Sequence, residues 1–396
     1  MDTQHDTRSL PSVVVENFSF LWFTVLMDTG ILSIIMHQNP YQFAGLGILS
    51  TIMFVFNLVL FILFTLILLV RIFLFPKRMA KDMTTNLVEL SMTGTVPIAY
   101  FTLVAQVSLT VSQAGWGSHA FTLVAFVMWW IGTAVALAIA VFVFFMVAKY
   151  SVTSIADLAP ALVIPYVSMC TNALVGGLIS SYSAEISDRL AVPVIIVSYI
   201  LLGVGLFVAL LVFAACTIRF IDSGLPPPIQ YPTLFLLVGP VGQAAGAALS
   251  LGTASRMHFG GYGKGTLLQQ MGGSTFSSIG VWVALLLLGL AVFFTLFALS
   301  AMIEGAINRQ HTFSMLWWGT IFPVATVNTA WILLSTSLDS PAFRALSSIF
   351  LLALLIVYFA NWGFTIYHLA TGRVLGGVAF YRASADEMLE DGRKTE

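Results

Sequence analysis

Ten long apolar runs follow one another along the chain, each separated from the next by a short polar or Gly/Pro-bearing stretch. They cover residues 18–37, 45–73, 95–112, 121–149, 158–180, 191–220, 233–252, 279–303, 316–338 and 345–369. A helix needs about 20 apolar residues to cross a bilayer core. Inside lipid every backbone N–H and C=O must find a partner within the protein, which leaves only helices and closed barrels. The runs are continuously apolar and do not alternate, so the expected fold class is an all-α membrane protein with ten transmembrane helices. Only 8% of the 396 residues are charged, against about 25% in an average soluble protein. A soluble globular fold is excluded, and no sizeable aqueous domain fits. The expected organisation is an N-terminal segment 1–17, a ten-helix transmembrane domain 18–369 and a tail 370–396.

The remaining composition narrows the function classes. Sixteen basic and 17 acidic residues leave a net charge of −1, so the basic excess that nucleic acid demands is missing. Cys170 and Cys216 lie in apolar runs without metal or redox spacing and read as small core residues. The first 17 residues carry no basic region followed by a small-residue cleavage site, so the first run is expected to stay as an anchor. The six histidines are scattered without metal-ligand spacing, and no cofactor is expected. Gly260 to Thr266 lacks the spacing of a phosphate loop and reads as a flexible connection. No Ser/His/Asp or Cys/His set recurs at one depth, so a membrane enzyme has little support.

Orientation follows from the basic residues. With the N-terminus in the cytosol, cytosolic segments hold Arg8, Arg71, Lys77, Arg78, Lys81, Lys149, Arg219, Arg309, Arg373, Arg382, Arg393 and Lys394. The other side holds Arg189, Arg256, Lys264 and Arg344, a split of twelve to four. Both termini are therefore expected in the cytosol.

Proline and polarity share a parity. Pro97, Pro165, Pro240 and Pro323 fall in the third, fifth, seventh and ninth runs, where a proline inside a helix removes a hydrogen bond and bends it. The even runs have none in their interiors, Pro193 being read as a helix start, and the first run has Gly30 instead. Gly94-Thr95-Val96-Pro97 is echoed by Gly319-Thr320-Ile321-Phe322-Pro323. Asp28, Thr29, Gln106, Asn172, Gln243 and Asn328 also lie in odd runs, and polar groups at membrane depth face a bundle interior or a wet cavity. The chain reads as five helical hairpins, with bent odd helices lining a central pore and even helices outside. The plainer reading is that small and polar residues simply glue helices together.

Asp28 lies mid-run, where a carboxylate costs about 2.5–3.5 kcal/mol, and no Lys, Arg or His lies at similar depth in any run. It is either a proton-responsive site on a path or a hydrogen-bonding group where the helix breaks before Gly30. Without a fixed cation, an anion would be held by helix N-termini and neutral donors. Thr29, Ser33, Ser168, Thr171, Asn172, Gln243 and Asn328 supply donors of that kind, although each is more often a structural hydrogen bond. Phe322 beside Pro323 and Tyr166 beside Pro165 are large rings able to plug a pore, with ordinary aromatic packing as the alternative.

Three stretches carry a resemblance to a known family: Phe23-Thr24-Val25-Leu26-Met27-Asp28-Thr29-Gly30, the segment from Pro226 to Gln243 (PPPIQYPTLFLLVGPVGQ), and Gly319-Thr320-Ile321-Phe322-Pro323-Val324. They resemble the fungal plasma-membrane sulfite exporters of the tellurite-resistance/dicarboxylate transporter family, which also holds the plant slow anion channels and the yeast malic acid permease. The resemblance runs from about Trp22 to Trp362. It implies five hairpins around a central pore, a phenylalanine gate at Phe322, and export of sulfite or bisulfite driven by membrane potential, proton coupling or both. It also implies a homo-oligomer, a trimer in bacterial relatives, with a dimer left open. Asp28 stands where the family motif commonly has glycine. The alternative within the family is a proton-linked permease for malate or another dicarboxylate, which the absence of a fixed cation in the path disfavours.

Overall fold

The computed structural model describes residues 10–150, 154–155, 157–263 and 266–371. The N-terminal residues 1–9, Lys264 and the tail from 372 lie outside the described residues, and with them several charges used for orientation. Among the described residues there is no strand. Nine helical stretches are long and apolar enough to cross a bilayer. The ninth expected span, 316–338, is helical too, over Met315–Thr320 and Ile321–Ser337, but its Trp, Thr and Asn content keeps it outside that count.

Five helices form an inner ring: α2 (Phe23–Gln38), α6 (Thr95–Gln106), α8 (Ile164–Tyr182), α10 (Val238–Tyr262) and α12 (Ile321–Ser337). Each packs against the next in chain order, and α12 closes the circle on α2. Five longer helices form the wall: α3 (Leu46–Leu74), α7 (Ser118–Tyr150), α9 (Asp188–Ser223), α11 (Gln270–Ile307) and α13 (Pro341–Ala370). Each wall helix lies against two successive inner helices. Burial separates the two sets: 72–100% of the most apolar stretch is buried in the inner spans that qualify, against 17–33% in the wall. Wall residues such as Leu286, Ile356 and Phe207 present open apolar surface, the surface that suits lipid. The expected parity of inside and outside is the arrangement observed.

The prolines do something other than bend helices. Pro97, Pro165, Pro240 and Pro323 each lie in the first turn of their α-helix, where the backbone N–H has no helical acceptor and its loss costs little. The expectation of kinks set within helix interiors is therefore corrected: the prolines mark helix starts. In α8, α10 and α12 the start follows a 3-10 lead-in, Pro160–Val163, Pro228–Leu237 and Met315–Thr320. α2 follows the 3-10 turn Phe20–Trp22, and α6 follows the short α5 (Leu87–Met92). These five lead-ins also touch in a closed circle. Pro193 is a second correction, because α9 begins at Asp188 and leaves it inside the helix. A third concerns Gly260 to Tyr262, read as loop, which form the last turn of α10.

Glycine permits the closest inner crossing. A Cβ on Gly94, just before α6, would meet the backbone N and Cα of Pro165 at 2.7 Å. Outside the ring, Gly45 and Gly224 take positive φ values of 106° and 74° at the start of α3 and the end of α9, where a side chain would be strained.

Ion pairing locks one face of the bundle. Arg71, near the end of α3 and 1% exposed, pairs with Asp82 of α4 (Pro76–Thr85) at 2.8 Å and with Glu89 of α5 at 3.1 Å. Its Nε donates to the Glu16 carbonyl at 3.1 Å. Glu89 also accepts from the Ser19 hydroxyl and, at 3.2 Å, from the Phe20 N–H. On the opposite face the His258 ring meets the Asp188 carboxyl at 2.7 Å and the Ser180 carbonyl at 2.6 Å, joining α10, α9 and α8.

Two outcomes follow from this packing. Arg71→Met takes the buried cation from Glu89 and leaves Asp82 only Arg78 at 3.6 Å, which should cost about 3–5 kcal/mol, read as a fall in thermal unfolding temperature in detergent; adding Glu89→Gln and Asp82→Asn should recover much of it. Gly94→Val should cost about 1–3 kcal/mol, because the opposing atoms are backbone. A thermal midpoint unchanged by either substitution would contradict the contact it removes.

Candidate functional site

The chemistry collects where α12 begins. α2 places Asp28 about one and a half turns from its start, and its neighbour in the ring is the first turn of α12. Asp28 is fully buried. Neither carboxyl oxygen makes a hydrogen bond of normal geometry among the described residues, and the donor that faces it is the backbone N–H of Phe322. Phe322, one residue inside α12, has one of the N–H groups that a helix leaves unpaired. The carboxyl therefore sits at the positive end of the α12 dipole. The Phe322 N–H facing it fits the reading of Asp28 as a group bonded between helices, and its burial without a side-chain partner fits the reading as a proton-responsive group.

Thr29, the next residue, donates or accepts at 2.9 Å with the Tyr358 hydroxyl of α13 and donates to the Val25 carbonyl at 2.6 Å. Tyr358 also lies within electrostatic reach of Asp28. Trp318, in the lead-in to α12, packs edge-on against Tyr358 at 5.7 Å and donates to the Thr365 hydroxyl at 3.0 Å. Phe322 itself is 1% exposed and belongs to the buried core.

The other expected path residues fall into two groups. Several spend their hydrogen bonds on helix contacts. Ser33 donates to the Ser50 carbonyl of α3 at 2.7 Å and accepts from Gln106 at 2.6 Å. Asn172 bonds Thr133 of α7 at 3.0 Å, and its carbonyl accepts from Trp129 at 3.1 Å. Ser168 and Thr171 donate back to the Pro165 and Val167 carbonyls. Gly30 lets Thr102 and Asn57 approach so closely that a Cβ would overlap them. Pro97, Pro165, Pro240, Pro323 and Tyr166 are buried at the starts of their helices. A second group keeps capacity unspent. Gln243 Oε1 and both ends of the Asn328 amide are buried without a hydrogen-bond partner among the described residues. Asn328 lies about two turns along α12 from Phe322.

Tyr358 was missed because it belongs to a wall helix. Its signal was present in spacing: Ser347, Leu351, Leu354, Tyr358, Asn361 and Thr365 repeat at intervals of four and three and form the buried stripe of α13. Trp318 gave no such signal, since a tryptophan near a span end ordinarily reads as an interface anchor. Among the described residues no three His, Cys, Asp or Glu side chains are grouped as a metal ion needs. The arrangement brings together N–H and hydroxyl donors, one buried carboxyl and an aromatic ring beside them.

Comparison with known proteins agrees with that chemistry. Sulfite efflux pump SSU1 of Arthroderma benhamiae is 27% identical over 91% of this chain and 92% of its own length. Sulfite efflux pump SSU1 of Saccharomyces cerevisiae is 22% identical over 80% and 78% of the two chains. The malic acid transport protein of Schizosaccharomyces pombe is 25% identical over 83% of this chain and 73% of its own. The sequence profile described as voltage-dependent anion channel matches residues 17–366, from the lead-in of the first inner helix through almost all of α13. With that match spanning the whole ring and wall, the chain belongs to the voltage-dependent anion channel family.

Proposed function

We propose that the chain exports sulfite or bisulfite across the plasma membrane, along the axis of the inner ring. The observation that carries this reading is the common direction of the five inner helices. Successive spans alternate in direction, so α2, α6, α8, α10 and α12 run parallel and begin on one face, where their lead-ins form a circle. Five positive helix ends gathered around one axis favour an anion. α2, α6, α8 and α12 contain no Lys or Arg, and the one in α10, Arg256, is an exposed residue toward its far end. Neutral donors and helix dipoles hold an anion weakly enough to let it leave.

The face with the lead-ins is the cytosolic one by the count of basic residues, which makes all five inner helices point their positive ends at the cytosol, and both termini are cytosolic. An inside-negative potential then supplies about 2.3 kcal/mol per 100 mV for each negative charge that leaves. Gln243 and Asn328, with spare hydrogen-bonding capacity, line the path with Asp28, and the Phe322 ring is its gate. The subunit carries a complete path, and the apolar wall serves both lipid and a homo-oligomer, a trimer in this reading. The second reading is malate or another dicarboxylate, favoured by the relative named a malic acid transport protein. A dicarboxylate is larger and holds its charges on two separate carboxylates, each wanting a fixed cationic partner, and is less suited to a ring without cations than a compact oxyanion.

Purified protein in liposomes separates the two, because sulfite efflux should exceed malate efflux under the same potential. The reverse order would move the assignment to the dicarboxylate. Phe322→Ala should raise sulfite flux by at least about tenfold, equivalent to about 1.4 kcal/mol off a barrier. Flux unchanged by that substitution would remove Phe322 as the gate.

A further inference from the structure

We propose that the first turn of α12 is a binding site for a small oxyanion, and that the Asp28 side chain is its built-in competitor, vacating the site electrostatically when it takes up a proton. This deepens the proposed anion export and rests on it.

A helix N-terminus invites an anion through its unpaired N–H groups and its dipole. α12 has 17 residues and begins inside the ring. Its first turn is approached by a carboxyl that is fully buried, has no side-chain partner among the described residues and faces the Phe322 N–H. An oxyanion arriving at this helix end would meet the same donor that Asp28 faces, so carboxyl and cargo compete for one place.

The surroundings give Asp28 no other way to be neutralised. α12 and the lead-ins Phe20–Trp22 and Met315–Thr320 contain no titratable residue. On α6 the one titratable group is Tyr100, whose hydroxyl donates to the Met128 carbonyl of α7. On α3 it is Arg71, held by Glu89 and Asp82. α13 presents Tyr358, bonded to Thr29, while its Arg344 pairs with Asp339 before the helix and Tyr367 and His368 lie in its last turns. On α2 itself His37 is in the last turn. No cation is positioned to hold Asp28 charged, so its charge state is set by proton uptake and by whatever occupies the α12 terminus.

Two negative charges within a few ångströms of one N–H repel strongly at this depth. An ionised Asp28 therefore keeps an anion out, and a protonated Asp28 leaves the dipole and the N–H to the anion while offering its own O–H as a further donor. The site takes a singly charged oxyanion while Asp28 holds a proton; the proton stays on the side chain, so each anion that leaves still carries one negative charge across. Charge from the α12 end is thereby balanced once, by the side chain or by the cargo.

The test compares full-length wild type with Asp28→Asn in liposomes, as the ratio of Asp28→Asn flux to wild-type flux of sulfite at each pH. Sulfite changes its own protonation with pH, but equally for both proteins, so the ratio reports the protein alone. The ratio should be near one at about pH 5 and rise to about tenfold or more by about pH 9, with the half-saturating sulfite concentration rising with pH more steeply in wild type than in Asp28→Asn. Asp28→Glu should keep a flux that falls as pH rises. Thermal midpoints in detergent establish that the variants are folded, and Asp28→Ala replaces Asp28→Asn if the latter is not. A ratio that stays flat across this range overturns the proposal. The same ratio measured with nitrate, whose charge does not change, separates the two ideas: nitrate flux with the expected pH-dependent ratio but no sulfite flux overturns sulfite export and supports the competitor. Transport of neither anion overturns both.

Discussion

A helix leaves its first four N–H groups without partners, and in lipid such groups cannot be left to water. The inner ring meets this constraint five times on one face. Proline occupies the first turn of four of the five helices and removes one of the orphan donors outright. The 3-10 lead-ins cover others with their own carbonyls, as where the Leu237-to-Val238 junction bonds back to Phe235 and Leu236. The helix ends are concentrated around a shared axis, so the feature that is a liability for a single buried helix is the one the proposed anion export draws on.

The wall answers a different demand. α3, α7, α9, α11 and α13 are long, apolar on their outer sides and pinned to the ring through small residues. A Cβ on Gly205 or Gly280 would overlap backbone atoms of α8 or α10. Polar contacts between wall and ring are specific: Trp129 donates to the Asn172 carbonyl, Thr133 accepts from the Asn172 amide, Tyr358 bonds Thr29 and the Ser50 carbonyl accepts from Ser33. Because the wall satisfies the inner helices on their backs, groups such as Gln243, Asn328 and Asp28 that remain unpaired stand out as ones the fold has not used for itself.

Much of this was legible in the residues before any coordinates. The alternation of greasy and polar runs read correctly as wall and ring because lipid exposure filters side chains by polarity span by span. Proline position read correctly by helix but wrongly by role: a sequence shows that Pro165 follows an apolar stretch, not that Pro160–Val163 winds as 3-10 and postpones the α-helix until Ile164. Asp28 was conspicuous by its cost, whereas its facing donor was hidden, since a backbone N–H at Phe322 has no letter of its own. The buried Arg71–Glu89–Ser19 network was illegible for the opposite reason. Its members fall in connections rich in charge, where Arg71 and Glu89 look like any solvated pair.

The circle of inner helices is completed only by the contact of α12 with α2, the penultimate crossing meeting the first. During synthesis, then, the seam stays unsealed until the ninth crossing is made, and a chain interrupted before α12 holds four inner helices in an open arc instead of a ring.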